Sequence, residues 1–127
     1  MKAQLSKSRN TSKKFRVTFE DGTYLDFGGK GYSDYTIHKT PGRMRLYIQR
    51  HGGVIDDKTL NLQRDREIQE AMLTVDMSKT EDWTADGFLT AGFWSRWLLW
   101  SHPTLPDSIR FIKKKFGIDV RIGQRAT

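Results

Sequence analysis

Apolar and polar positions split this chain into short stretches of distinct period. Phe15, Val17 and Phe19 alternate with Arg16 and Thr18, the pattern of a half-buried strand. Asp21-Gly22 follows, a strong two-residue hairpin signal, and Tyr24 to Phe27 supplies the second strand. Gly28, Gly29 and Gly31 break that strand, and residues 32–36 read as irregular chain or a short turn. Thr40-Pro41 predicts a helix start, with Thr as N-cap and Pro at the first helical position. Met44, Tyr47 and Ile48 fall at helical spacing, and Gly52-Gly53 ends the run. A further helix is predicted over 64–77, where Ile68, Met72 and Val75 share a face. Thr90 caps a helix from Ala91 to Trp100, with Phe93, Trp97 and Trp100 in one row and Trp94 and Leu98 in the next. A helix apolar almost all round is buried on several sides. His102-Pro103 stops it. Residues 104–116 form another helix, with Leu105, Ile109, Ile112 and Phe116 inward and Gly117 beyond its end. Ile118, Val120 and Ile122 alternate as a closing strand. The expected fold class is α+β: a small single domain with an N-terminal β-hairpin, three to four helices and a short C-terminal strand.

Charge changes this picture at the N-terminus. The 127 residues carry a net charge of +7, unevenly spread. Residues 1–16 hold six Lys or Arg and no acid, residues 52–86 hold nine acids against four bases, and residues 87–127 hold seven bases against two acids. Residues 1–13 have only Leu5 as a sizeable apolar side chain, too little burial to offset ordering entropy. The expected organisation is therefore a basic, extended tail over 1–14 and a single domain over 15–122. Residues 52–80 form an acidic insertion with a helix, and 123–127 a C-terminal tail.

Tests for chemistry return little. Cysteine is absent, which removes thiol catalysis and Cys-ligated zinc. His38, His51 and His102 show no metal-ligand spacing. Gly29-Lys30 is not a phosphate loop, because Tyr24 stands where the first Gly is needed and Gly31 where Ser or Thr is needed. There is no G-x-S-x-G elbow. Asp56-Asp57 and Glu81-Asp82 read as solvated loop pairs, and Asn10-Thr11-Ser12 fits a glycosylation sequon without a leader to deliver it. No apolar run approaches a membrane span, the first ten residues have no secretory h-region, and Lys2 stands where myristoylation needs Gly. These observations lead us to expect no enzymatic activity, cofactor, metal, membrane span or small-molecule substrate.

Three of the four Trp lie in residues 94–100. One reading is core packing, since aromatics carry the largest burial area. A second makes one or two of them anchors in a partner, with Arg96 between them. A third is base stacking beside the basic segments.

Several blocks resemble a family of small virion proteins, of minor capsid type, from large double-stranded DNA viruses of algae and amoebae. They are Gly-Tyr-Ser-Asp-Tyr-Thr-Ile-His-Lys (31–39), Tyr47-Ile48, Arg50-His51, Glu81-Asp82-Trp83 and Thr-Ala-Gly-Phe-Trp-Ser-Arg-Trp-Leu-Leu-Trp (90–100), followed by Pro103-Thr104-Leu105 and Ser108-Ile109. The resemblance covers about 15–112. In the pattern it resembles, the Arg-His pair runs almost directly into Glu-Asp-Trp; here residues 52–80 intervene. The resemblance implies a non-enzymatic structural virion protein, made in the host cell and placed on the inner side of the capsid shell. Its partners would be the major capsid protein and other minor capsid proteins. The alternative is a basic, nucleic-acid-binding protein associated with the packaged genome, touching it through the tail. The candidate interaction residues are Trp94, Arg96, Trp97 and Trp100, then Tyr32, Tyr35 and His38, and the tail cations Lys2, Lys7, Arg9, Lys13 and Lys14.

Overall fold

The computed structural model describes residues 1–123, so the expected tail over 123–127 lies, beyond Gly123, outside the described residues. The fold is mixed α+β, as the periodicities predict. Strands β1 (Lys2–Lys7), β2 (Lys13–Phe19), β3 (Tyr24–Gly29) and β4 (Asp119–Ile122) form one sheet in the order β3-β2-β1-β4. β1 runs antiparallel to β2 and parallel to β4, and β2 pairs antiparallel with β3. The hairpin turn closes at Asp21-Gly22, where Gly22 takes φ of 88° and Asp21 Oδ1 accepts from the Thr23 amide at 3.0 Å. One sheet face carries Ala3, Leu5, Val17, Phe19, Phe27 and Val120, all buried, and the helices cover it. The opposite face carries polar side chains, among them Arg16 and Asp26, paired at 2.8 Å.

β1 corrects the expected N-terminal tail. Lys2 to Lys7 forms an inner strand, with Ala3 paired to Phe19 and Val120, and Leu5 paired to Val17 and Ile122. A strand with neighbours on both edges pairs the backbone groups of both its sides, so two modest buried side chains suffice to hold it. The exposed Lys2 and Gln4 alternate with the buried Ala3 and Leu5. Arg9 is exposed in the loop that joins β1 to β2, where the Ser8 amide donates to Lys14 O and the Ser12 amide to Asn10 Oδ1.

Six helical segments follow: α1 (Tyr35–His38), α2 (Pro41–Arg50), α3 (Asp57–Leu60), α4 (Asp65–Met72), α5 (Ala91–Trp94) and α6 (Leu105–Phe116). α2 starts at Pro41 as expected, although the Thr40 hydroxyl donates to His38 O and does not cap. α6 is capped by Thr104 Oγ1, which accepts from the Asp107 amide, and ends at Gly117 with φ of 71°. The helix expected over 91–100 is not regular. After α5 it widens into a π-helical turn over Ser95–Leu99. Such turns leave carbonyls looking for donors. Here Ser101 Oγ donates to Trp97 O at 2.7 Å and Arg96 Nη1 donates to Trp100 O at 2.6 Å.

Residues 52–80 are not an appendage. Ile68 and Met72 of α4 and Val75 beyond it are buried in the same core as Trp83 and Trp97. α4 is also shorter than the expected 64–77 run and ends at Met72. No helix among the described residues is long and apolar enough to cross a membrane.

Candidate functional site

The Trp-rich helix is the interior of the protein. Trp94, Arg96 and Trp97 are fully buried. The indole N–H of Trp94 donates to Phe88 O at 2.6 Å, and that of Trp97 to Trp83 O at 2.9 Å. Arg96 Nη2 donates to Met72 O at 2.5 Å and Val75 O at 3.1 Å, and its guanidinium lies 4.2 Å from the Trp97 ring centroid. Burial pushes Arg96 down to about 9. The carbonyls and the ring faces offset part of the cost of keeping it charged. These three residues are therefore corrected from interaction anchors to core. Tyr35 is corrected likewise: it is 3% exposed, and its hydroxyl donates to Gln69 Oε1. Core packing is thus the reading that holds for Trp94 and Trp97, and of the expected helix over 91–100 only Trp100 among the Trp residues reaches a concave surface.

Trp100 sits at the edge of that core and meets a cleft of about 770 Å³. The cleft has two walls. One is built from β2, β3 and α2: Lys13 and Lys14, Phe27 to Gly29, Tyr32 to Asp34, then Arg43, Leu46, Tyr47, Arg50 and His51. The other is built from Glu81, Ala91, Gly92, Ser95, Leu99 and Trp100. Twelve of its nineteen lining residues belong to the motif blocks 31–39, 47–51, 81–83 and 90–100. Segments distant in the chain thus converge on one concave surface.

Local folding explains each wall. Arg43, Leu46, Tyr47 and Arg50 stand at i, i+3, i+4 and i+7 of α2, so they form one stripe. Tyr47 stacks on Trp100 at 4.2 Å with 7° between planes, and His51 stacks on the other face of Tyr47 at 4.0 Å. His38 continues the column, 5.3 Å from Trp100. Its Nδ1 accepts from the Thr40 amide at 2.9 Å, which leaves the proton on the buried Nε2. Burial, with the nearby Arg43 second, holds His38 below its ordinary range; the residue is half-buried and is not among those that line the cleft. Burial likewise raises the Tyr47 phenol, with Glu81 adding to the effect.

Two carboxylates in the walls are already engaged. Asp34, 2% exposed, pairs with Lys14 Nζ at 2.7 Å and caps α1 by accepting from the Thr36 amide at 2.8 Å. Glu81 Oε2 meets His51 Nδ1 at 2.6 Å, and Glu81 Oε1 accepts from the Trp83 indole at 2.9 Å. This corrects the reading of Glu81-Asp82 as a solvated pair. Asp82 is exposed, but Glu81 is held at both oxygens. Gly92 makes the room, since a Cβ there would lie 2.4 Å from Glu81 Oε1. Glu81 Oε2 fixes the orientation of the His51 ring through Nδ1.

The remaining cations differ. Lys13, Arg43 and Arg50 line the cleft without an ion pair among the described residues. Tyr32, 77% exposed, stands at the rim over Gly29. Of the expected interaction residues, the structure therefore brings Trp100, Tyr32, Lys13 and Lys14 to one place. Lys2, Lys7 and Arg9 are exposed elsewhere, at β1 and the loop after it. The sequence reading missed Arg43, Tyr47, Arg50, His51 and Glu81 as site residues. The α2 stripe is a signal that could have found the first three. Among the described residues no three carboxylate or imidazole groups gather into a metal-ligating cluster.

A family model described as "Family of unknown function (DUF5754)" matches residues 3–51, the span of the three N-terminal strands, α1 and α2, and hence one wall of the cleft. No curated protein and no solved structure matches the chain.

Proposed function

We propose that this protein is a non-enzymatic structural component of a virion, a minor capsid protein that contacts its neighbours through the cleft. The observation that carries the reading is the convergence of the motif blocks on one concave surface. Those blocks resemble the minor capsid type, and twelve of the nineteen cleft residues come from them. The rest of the molecule is consistent with a receptor surface rather than a flexible clamp. The N-terminal cations are ordered on β1 and the loop after it, and the Trp helix is spent on the core. A cleft of this volume lies within the range of sites that enclose small ligands or side-chain segments, roughly 300–1,000 Å³. Its stacked Tyr47 and Trp100 are a rigid floor, since ring pairs contribute about 0.5–1.5 kcal/mol beyond area burial.

The test is fractionation of gently disrupted virions of the virus that encodes the chain, with the protein followed by mass spectrometry. Retention with the shell through nuclease and moderate salt is the expected result. Release with the DNA, steeply dependent on salt, would instead support the genome-associated reading. Absence from purified virions would remove both.

A further inference from the structure

We infer that the occupant of the cleft is an extended acidic peptide segment of a partner protein, read by Arg43 and Arg50 of α2 with Lys13 on β2. The inference deepens the reading of the cleft as a contact site and rests on it. The first argument is charge. Asp34 and Glu81 are each matched within the walls, by Lys14 and His51, whereas Lys13, Arg43 and Arg50 have no acid partner among the described residues. A concave surface with excess positive charge attracts negative groups and concentrates them. Guanidinium groups add a fork that suits carboxylates.

The second argument is spacing. Arg43 and Arg50 lie two turns apart on one stripe, about 10 Å along the helix axis. Between them the stripe carries Leu46, 52% exposed, and the Tyr47 ring. Side chains of an extended chain alternate between its two faces at about 3.3 Å per residue. Two Asp or Glu that both face α2 therefore stand four residues apart, about 13 Å, a span the long Arg side chains reach, and the apolar residue midway between them covers Leu46.

The third argument disfavours nucleic acid. Three unmatched cations are fewer than the six to ten phosphate contacts (roughly) of a firm duplex site. An isolated pair of peptide carboxylates needs no more cations than these three.

The experiment is selection of random octapeptides displayed on phage against the full chain, repeated on the Arg43→Glu/Arg50→Glu double variant. Both arginines are exposed and make no side-chain hydrogen bond among the described residues, so the variant keeps its fold, which a thermal melt verifies. The expected result is an acidic consensus with the spacing above. A synthetic consensus peptide should bind the variant at least about tenfold more weakly than the parent chain, equivalent to about 1.4 kcal/mol. Arg43→Lys/Arg50→Lys should restore part of the binding. Absence of an acidic consensus overturns the inference, and so does a consensus peptide that binds the double variant as well as the parent. Oligothymidylate binding abolished by the double variant would assign the cleft to nucleic acid instead. Self-association abolished by it would assign the cleft to a second copy. The virion reading fails separately, by fractionation: shell retention without an acidic consensus sinks only the peptide, and an acidic consensus in a protein absent from virions sinks only the virion.

Discussion

Arg96 in the core and the pair Arg43 and Arg50 on α2 are spent in opposite ways. Arg96 lies fully buried between Trp83 and Trp97 and donates to the carbonyls of Trp100, Met72 and Val75. Arg43 and Arg50 flank Tyr47 and Leu46 on the open face of α2 and donate to nothing else among the described residues. The residue types are the same. Donors spent inside close the fold, because a buried charge left unmatched would be costly. Donors left in solvent cost the fold little and remain available to a partner. Arg96 joins three parts of the chain: the end of the π-helical turn, the C-terminus of α4 and the segment after it. It adds a polar tie to the apolar contacts of Ile68, Met72 and Val75 that hold residues 52–80 in the domain.

The sharpest break of this comparison is Arg96→Ala. Three carbonyls lose their donor and the Trp83–Trp97 gap opens, so the loss should be about 3–5 kcal/mol, read from the urea unfolding midpoint. A loss under about 1 kcal/mol would show that Arg96 is not the clamp. Gly92→Ala comes next. It pushes a methyl toward Glu81 Oε1 and should cost about 1–3 kcal/mol. It should also displace the His51 ring signals followed by NMR at one pH, because Glu81 can no longer hold His51 as it does. An unchanged His51 would mean that the dyad tolerates the methyl, and that the cleft wall is looser than the contact implies.

A third and smaller effect concerns pH. Burial holds His38 and His102 below the ordinary histidine value of 6.5. The unfolded chain then binds more protons than the folded one as pH falls through 6.5 towards the folded values. Stability must decline on acidification across that window and is fully present above it. Melting temperatures at pH 7 and pH 5 should show the fall, and His38→Gln should flatten it. The smallest expected effect is that of Arg43→Ala or Arg50→Ala, each within about 0.5 kcal/mol of the parent. A larger loss from either would blur the distinction between spent and available arginines.

Much of the fold was readable from local pattern. The Asp21-Gly22 hairpin, Pro41 at the start of α2 and Gly117 ending α6 each depend on near neighbours, and each stands where the spacing puts it. The misreadings share a different cause. β1 looked like a tail because its composition is poor in apolar residues, yet its order comes from ladders to β2 and to β4, the latter more than a hundred residues away. The Trp row promised anchors, but the π-helical turn and the Met72 and Val75 carbonyls turned it inward. Glu81 looked solvated until Gly92 and Trp83 were placed beside it.

The sequence by itself therefore determined the β2–β3 hairpin, α2, α6, β4 and the excess of positive charge. All of these follow from the backbone preferences and periodicity of adjacent residues. Only the tertiary structure decided which cations are spent and which are free, which Trp touches the cleft, and that α2, Glu81 and the α5 segment face one another. Those outcomes depend on contacts between residues far apart in the chain, where burial sets the cost of every polar group and no local pattern records it.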